Sequence, residues 1–132
     1  MRAAKIYLVL MGVSTFLFGL AYLFAPEKML APMHFPVMPA ESMTDIRATY
    51  GGLQIGCGLF LLYCLAPQRL RLGLVFSVLS IAAVAGSRLI GLSLDRDITQ
   101  TLQITAGLEV ALAVVALVLL LRLPRSVVAG AA

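Results

Sequence analysis

Residues 75–88 read VFSVLSIAAVAGSR, and residues 109–121 read EVALAVVALVLLL. Each stretch is apolar over most of its length and carries one ionisable residue, Arg88 in the first and Glu109 in the second. A charge near the centre of a bilayer costs roughly 2.5–3.5 kcal/mol on insertion scales, so such residues mark either a functional site or a structural ion pair. The two runs belong to longer apolar stretches, residues 72–94 and 98–123, whose length predicts membrane-spanning helices and decides the fold class.

The composition of the 132-residue chain leads to the same fold class. Hydrophobic residues make up 61% of the chain and charged residues 12%, whereas soluble domains contain about 45–50% apolar and about 25% charged residues. A soluble fold of this size has too little interior to hide that much apolar surface. The sequence therefore predicts a single membrane domain over residues 1–132.

Four apolar stretches predict an all-α, antiparallel four-helix bundle that is integral to the membrane. The predicted spans are residues 6–24, 42–66, 72–94 and 98–123. The second span is long enough only if its helix begins near Ser42, where Ser42 and Asp45 resemble a capping box. Residues 25–41 between the first two spans are rich in Pro and Met. We expect them to lie at the membrane interface or to cover the outer mouth of the bundle.

The charged residues predict the orientation of the bundle. With four spans, both termini and the loop between the second and third spans share one side. That side carries six basic residues and no acid: Arg2, Lys5, Arg69, Arg71, Arg122 and Arg125. The opposite side carries three basic residues and five acids: Lys28, Arg47, Arg96, Glu27, Glu41, Asp45, Asp95 and Asp97. The positive-inside rule places both termini in the cytoplasm, and the pI of 9.5 reflects this topology rather than nucleic-acid binding.

Polar side chains in the last three spans concentrate in the outer half of the membrane. At 100° per residue, Arg47, Tyr50 and Gln54 fall on one face of the second helix. This shared depth predicts a polar pocket, and its predicted ligand-binding residues are Arg47, Tyr50, Gln54, Arg88, Asp95 and Glu109. Arg88 can reach down to Glu109 across an offset of roughly 7 Å. It can equally extend upward to Asp95, Asp97 or Glu41. A structural pair, a ligand contact and proton coupling all remain open for Arg88 and Glu109.

Small residues predict two helix contacts. Gly12, Thr15 and Gly19 share one face of the first helix with Tyr22, so that face is expected to pack inside the bundle. Gly52 and Gly56 form a GxxxG pattern roughly opposite the polar face of the second helix. That pattern favours either close packing within the bundle or contact with a second copy or a partner subunit.

The sequence offers no metal site, cofactor motif or catalytic group. Cys57 and Cys64 lie about 10 Å apart along one predicted helix, too far for a disulfide. His34 has no neighbouring Cys or His in the sequence. Nothing supplies a nucleophile with its base, so we expect no metal, no cofactor and no catalytic residue, and enzyme activity is not indicated.

Two motifs resemble those of a family of small bacterial four-helix membrane proteins, a domain of unknown function. RATYGGLQIGCGLFLL at 47–62 resembles its signature R-A-x-Y-G-G-L-x-x-G-x-G-L-F, and SRLIGLSLD at 87–95 resembles its block G-R-L-x-G-L-x-x-D. Glu109 matches an acid in the family's last helix, whereas many relatives have Glu where this chain has Gln54. The family is similar to the DoxX-like group. The resemblance implies a bundle in the bacterial inner membrane with a polar cavity toward one leaflet, without a settled activity.

The sequence and the family resemblance leave three possible functions. The first is holding a small lipophilic molecule with a polar or anionic end in the outer-half pocket, where membrane lipid also contacts the protein. The second is an accessory or assembly subunit that holds a partner through Gly52 and Gly56. The third is proton-coupled transport through Glu109, which needs access from both sides of the membrane. The cytoplasmic half is poor in polar residues and favours a one-sided pocket.

Overall fold

The computed structural model of the protein describes residues 1–33, 38–94 and 100–124, without the side chain of Met33. The predictions for Asp95, His34, the outer-loop residues 34–37, residues 98–99 of the last span and Arg125 lie outside the described residues. The described part is helical and contains no strand. Its α-helices are α1 (Arg2–Phe24), α2 (Pro26–Leu30), α3 (Ala40–Ile46), α4 (Leu53–Tyr63), α5 (Leu70–Leu94) and α6 (Gln100–Arg122).

Within these described ranges, three helical stretches are long and apolar enough to cross a membrane. They are Arg2–Phe24, Pro67–Leu94 and Gln100–Arg122, with mean hydropathies of 2.0, 1.9 and 2.6. Many of their large apolar side chains are exposed, including Leu10, Leu79 and Leu121. Exposed apolar surface on helices of this length is typical of a membrane protein, because lipid rather than water surrounds it.

The second predicted span, residues 42–66, overlaps a helical stretch that consists of three parts. α3 continues without a break into a π turn over Arg47–Gly52 and then into α4. In that turn the amide of Leu53 donates to the carbonyl of Ala48, five residues earlier. A π turn is wider than an α-helical turn, so it shifts the phase of the residues before it relative to those after it.

The predicted capping box is wrong. The helix begins at Ala40 after Pro39, whose φ of −58° and ψ of 155° end the preceding segment, and no side chain caps it. Ser42 therefore lies inside α3. Pro39 is the N-cap residue instead, and proline limits how far a helix extends toward the N-terminus because it disfavours the α conformation of the residue before it.

The outer loop contains short helical pieces rather than one continuous helix. α2 starts with Pro26 at its first position and is followed by a 3₁₀ turn over Ala31–Met33. The side chains of Pro26 and Leu30 are buried. These two residues therefore anchor the beginning of the loop.

The chain divides into two compact units. We call residues 8–63 the α1–α4 unit, and residues 1–7 with 64–132 the α5–α6 unit. In the α5–α6 unit, α5 and α6 pack against each other. The buried side chains there include Leu70, Leu74, Ser77, Ala85, Ala106 and Ala116.

In the α1–α4 unit, glycines let α1 approach the π turn and α4 very closely. A Cβ built on Gly19 would lie 2.7 Å from the backbone nitrogen of Ile55, and one built on Gly58 would lie 2.6 Å from that of Phe16. Neither position has room for a side chain. Gly19 and Tyr22 are buried, which confirms the predicted packing face of α1.

The glycines of the second helix that form this contact are not those of the GxxxG pattern, which the sequence assigns either to packing within the bundle or to contact with a second copy or a partner subunit. Gly51 and Gly58 pack against α1, whereas a Cβ built on Gly52 or Gly56 meets nothing within 4 Å. Within the α1–α4 unit, the GxxxG pattern therefore forms no close helix contact. Gly52 and Gly56 are exposed, whereas Gly51 and Gly58 are buried.

Candidate functional site

The centre of the candidate site is an ion pair between α5 and α6. Nε of Arg88 donates to Oε2 of Glu109 at 2.8 Å, and Nη2 donates to Oε1 at 2.9 Å. The two side chains retain 30% and 17% of their accessible surface. The guanidinium thus faces the carboxylate in the two-point geometry that gives the strongest charge-assisted hydrogen bonds. Arg88 therefore extends toward Glu109, the downward of the two directions that the sequence leaves open.

The position of this pair explains its geometry. Both residues lie within long apolar helices, where an unpaired charge costs several kcal/mol. Two short hydrogen bonds offset part of that cost, and the opposite charges leave the pair neutral overall. The arrangement therefore presents polar atoms at membrane depth without a net charge.

An apolar groove runs along the same two helices. Its volume is about 280 Å³, and its lining residues are Val78, Ala82, Ala85, Gly86, Leu89, Val110, Ala113, Val114 and Leu117. The groove exists because small residues line it, and a Cβ built on Gly86 would meet nothing within 4 Å. Ala85 and Ala113 lie one helical turn from Arg88 and Glu109 respectively, so the ion pair lies beside the groove.

A tyrosine from the start of the chain contributes a second polar contact to the α5–α6 unit. The hydroxyl of Tyr7 donates to the backbone carbonyl of Leu112 at 3.2 Å, and the buried Ser77 hydroxyl lies beside it. We did not expect this contact from the sequence. The sequence feature that could have indicated this contact is the position of Tyr7 inside an apolar run. A Tyr hydroxyl that is buried there usually has a hydrogen-bond partner.

The polar residues of the second helix lie in the α1–α4 unit. Tyr50 stacks on Tyr22, with ring centroids 5.3 Å apart and planes inclined by 29°. Arg47 is half-buried and lines a small cavity at the end of α1. Gln54 is half-buried on α4. Arg47 and Tyr50 lie in the π turn, and Gln54 follows it in α4. The regular spacing of 100° per residue that predicts their common face therefore does not hold across all three residues.

A family model described as a domain of unknown function, DUF4345, matches residues 3–120. The chain belongs to this family. The match covers both sequence motifs, at 47–62 and 87–95, and agrees with their resemblance to an uncharacterised family. The likeness to the DoxX-like group stays a prediction. Among curated proteins and among solved structures, nothing matches the chain.

In this DUF4345 protein, the structure brings together two of the six predicted site residues. Arg88 and Glu109 form the ion pair. Arg47, Tyr50 and Gln54 belong to the other unit, and Asp95 lies outside the described residues. A common pocket of all six residues stays a prediction.

Neither cysteine of the DUF4345 protein forms a disulfide. Cys57 is half-buried and Cys64 is buried, both with free thiols. Within the described ranges, no group of three or more His, Cys, Asp or Glu residues is placed to hold a metal ion. The polar chemistry that the described residues offer at membrane depth is thus centred on Arg88 and Glu109.

Proposed function

We propose that the protein is a four-span membrane protein that holds a small lipophilic molecule, with its polar end at Arg88 and Glu109 and its apolar part in the α5–α6 groove. The observation that carries this proposal is the two-point ion pair beside an apolar groove of about 280 Å³. Ligand sites are typically concave and mostly apolar, with a few polar groups that fix the orientation of the ligand. The α5–α6 unit offers this combination.

Helix lengths support the four spans of this proposal. The helical residues from Ala40 to Tyr63 are about 36 Å long at 1.5 Å per residue, enough for the hydrocarbon core of about 30 Å. With α1, α5 and α6 they make four. The five residues 95–99 between α5 and α6 extend at most about 18 Å, too little to run back along a helix. This connection favours antiparallel helices.

An even number of spans places both termini on one side of the membrane. The excess of basic residues on that side supports a cytoplasmic location for both termini. The family resemblance supports the bacterial inner membrane as the site of the protein.

The energetics of the pair support a role beyond stability. A buried ion pair is often no more stabilising than two apolar residues of the same volume, because both charges lose their hydration. The partial exposure of Arg88 and Glu109 leaves polar atoms accessible to a ligand. Since Glu109 neutralises Arg88, we favour a ligand with a neutral hydrogen-bonding end over an anion. Arg47, Tyr50, Gln54 and Asp95 remain proposed contacts in the outer half of the bundle.

The test is native mass spectrometry of the protein after mild extraction from its own membrane. We expect an additional discrete mass, which Arg88→Leu abolishes. Gly86→Leu should also abolish it, because the new side chain fills the groove that Gly86 lines.

Gly107→Leu is the matched control for the groove variant. Gly107 lies on α6, has open space around it as Gly86 does, and does not line the groove. Retention of the mass in Gly107→Leu together with its loss in Gly86→Leu supports the proposal. A wild-type protein without any additional small mass contradicts it, as does equal loss in both glycine variants.

A second function, an accessory or assembly subunit, is favoured by one observation. Gly52 and Gly56 are exposed, and the space around them is empty. The exposed side chains of Leu59 and Tyr63 continue this surface along α4. A partner helix can approach closely along such a surface. If this function is correct, the extracted protein carries another polypeptide or a second copy, and Gly56→Leu removes it while Gly107→Leu does not.

A further inference from the structure

A second cavity lies at the end of α1, in the α1–α4 unit. Its volume is about 260 Å³, and its lining residues are Phe24, Ala25, Pro26, Glu27, Lys28 and Arg47. Unlike the α5–α6 groove, it combines apolar residues with two cations and one carboxylate. It shares no lining residue with that groove.

The charges around this cavity are not paired with one another. Among the described residues, Glu27 forms no ion pair within 4.0 Å with Lys28 or Arg47. Glu27 and Lys28 are exposed, whereas Arg47 is half-buried on the π turn. Charges of both signs that line one cavity without contacting each other are available to a ligand that carries both signs itself.

The depth of the cavity identifies the kind of ligand. α1 has 23 residues and a mean hydropathy of 2.0, and at 1.5 Å per residue it is about 34 Å long. A helix of this length crosses the hydrocarbon core of about 30 Å. The cavity begins at Phe24, the last residue of α1, so it lies at the level of the lipid head groups. The ring of Phe24 is 79% exposed and available to the glycerol and upper acyl region of a lipid.

We propose that this cavity binds the head group of a zwitterionic phospholipid with a primary ammonium, its phosphate on Arg47 and Lys28 and its ammonium beside Glu27. Guanidinium and ammonium groups donate charge-assisted hydrogen bonds to phosphate oxygens. A carboxylate accepts the same kind of bond from a primary ammonium. A purely anionic head group satisfies the two cations but leaves Glu27 facing a negative charge, so Glu27 supplies the selectivity.

The test uses native mass spectrometry of the full-length protein with phosphatidylethanolamine and phosphatidylglycerol of identical acyl chains. Wild type should retain phosphatidylethanolamine about threefold more than phosphatidylglycerol, because Glu27 is exposed and its contribution is modest. Glu27→Gln should abolish this preference without reducing total lipid retention. Equal retention of both lipids by wild type overturns the proposal.

Two further variants test the phosphate contacts. Arg47→Gln should lower retention of both lipids by roughly tenfold, and Lys28→Ala by about threefold. Arg2→Ala removes an exposed basic residue at the other end of α1 and should leave retention unchanged. Lys28 is exposed, so its replacement keeps the test decisive if Arg47→Gln fails to fold. If Arg47→Gln and Lys28→Ala both lower the stability of the protein but leave lipid retention unchanged, the two cations only stabilise the end of a helix. That result overturns the proposal.

Soluble competitors distinguish a lipid from a free phosphate compound. The lipid should resist displacement by inorganic phosphate and by phosphoethanolamine, because the exposed ring of Phe24 is available to the glycerol and acyl region that these probes lack. Complete displacement by either probe assigns the cavity to a soluble phosphate compound and overturns the lipid assignment.

Discussion

Replacing Arg88 and Glu109, singly and together, measures how strongly the ion pair holds α5 to α6. Glu109→Gln keeps the shape of the side chain and one acceptor oxygen but leaves the guanidinium without a counter-charge. Arg88→Met keeps an unbranched side chain and leaves the carboxylate without its two donors. The double variant removes both charges.

The magnitudes follow from the geometry of the pair. Breaking a fully buried pair costs about 3–5 kcal/mol, but the partial exposure of both side chains reduces this. We therefore expect each single variant to lower the free energy of unfolding by about 2–3 kcal/mol. The double variant should lose only about 1–2 kcal/mol, because no charge remains unpaired in it. The resulting coupling energy is about 3 kcal/mol.

The assay is reversible unfolding of the four proteins in mixed micelles, followed by circular dichroism at one fixed ionic strength. Neutral interhelical hydrogen bonds in membranes contribute on average about 0.6 kcal/mol. A coupling energy at or below that value refutes the reasoning, because it shows that the two charges do not depend on each other.

Two further stability predictions use the same assay. Gly58→Ala should destabilise the protein by about 1–2 kcal/mol, because its Cβ would lie 2.6 Å from the backbone of α1; Gly56→Ala, where the space is open, should instead stabilise it by about 0.5–1 kcal/mol. Equal effects of the two alanines would contradict the close contact. Tyr7→Phe should cost about 1 kcal/mol through the lost hydrogen bond to the Leu112 carbonyl, and an unchanged midpoint would show that the bond does not stabilise the unit.

The positions of the long helices, and Glu109 as one candidate partner of Arg88, could be predicted from the sequence. Runs of about 20 apolar residues have few alternatives to a membrane-spanning helix. The short connection between α5 and α6 fixes the relative depth of Arg88 and Glu109, so their pairing emerges as one of two options. The choice between Glu109 and the acids of the outer side, Asp95, Asp97 or Glu41, depends on side-chain packing, which the sequence pattern does not contain.

The second helix is where sequence reasoning is least accurate. The GxxxG pattern draws attention to Gly52 and Gly56, yet Gly51 and Gly58 are the glycines that pack against α1. Spacing alone does not reveal which face a neighbouring helix uses. The π turn is equally hidden, because the side-chain pattern of residues 47 to 54 also fits a regular α-helix with 100° per residue. Only the hydrogen bond from Leu53 back to Ala48 reveals it.

The π turn over Arg47–Gly52 also affects how related chains should be aligned. A π turn accommodates one more residue than the α-helical turn it replaces, while the helix on either side keeps its direction. A homologue with one residue fewer in this stretch can therefore form an uninterrupted α-helix with both flanking segments in the same register. A single-residue gap at residues 47–52 is thus compatible with an intact membrane span, although it changes which side chain occupies the position of Tyr50 opposite Tyr22.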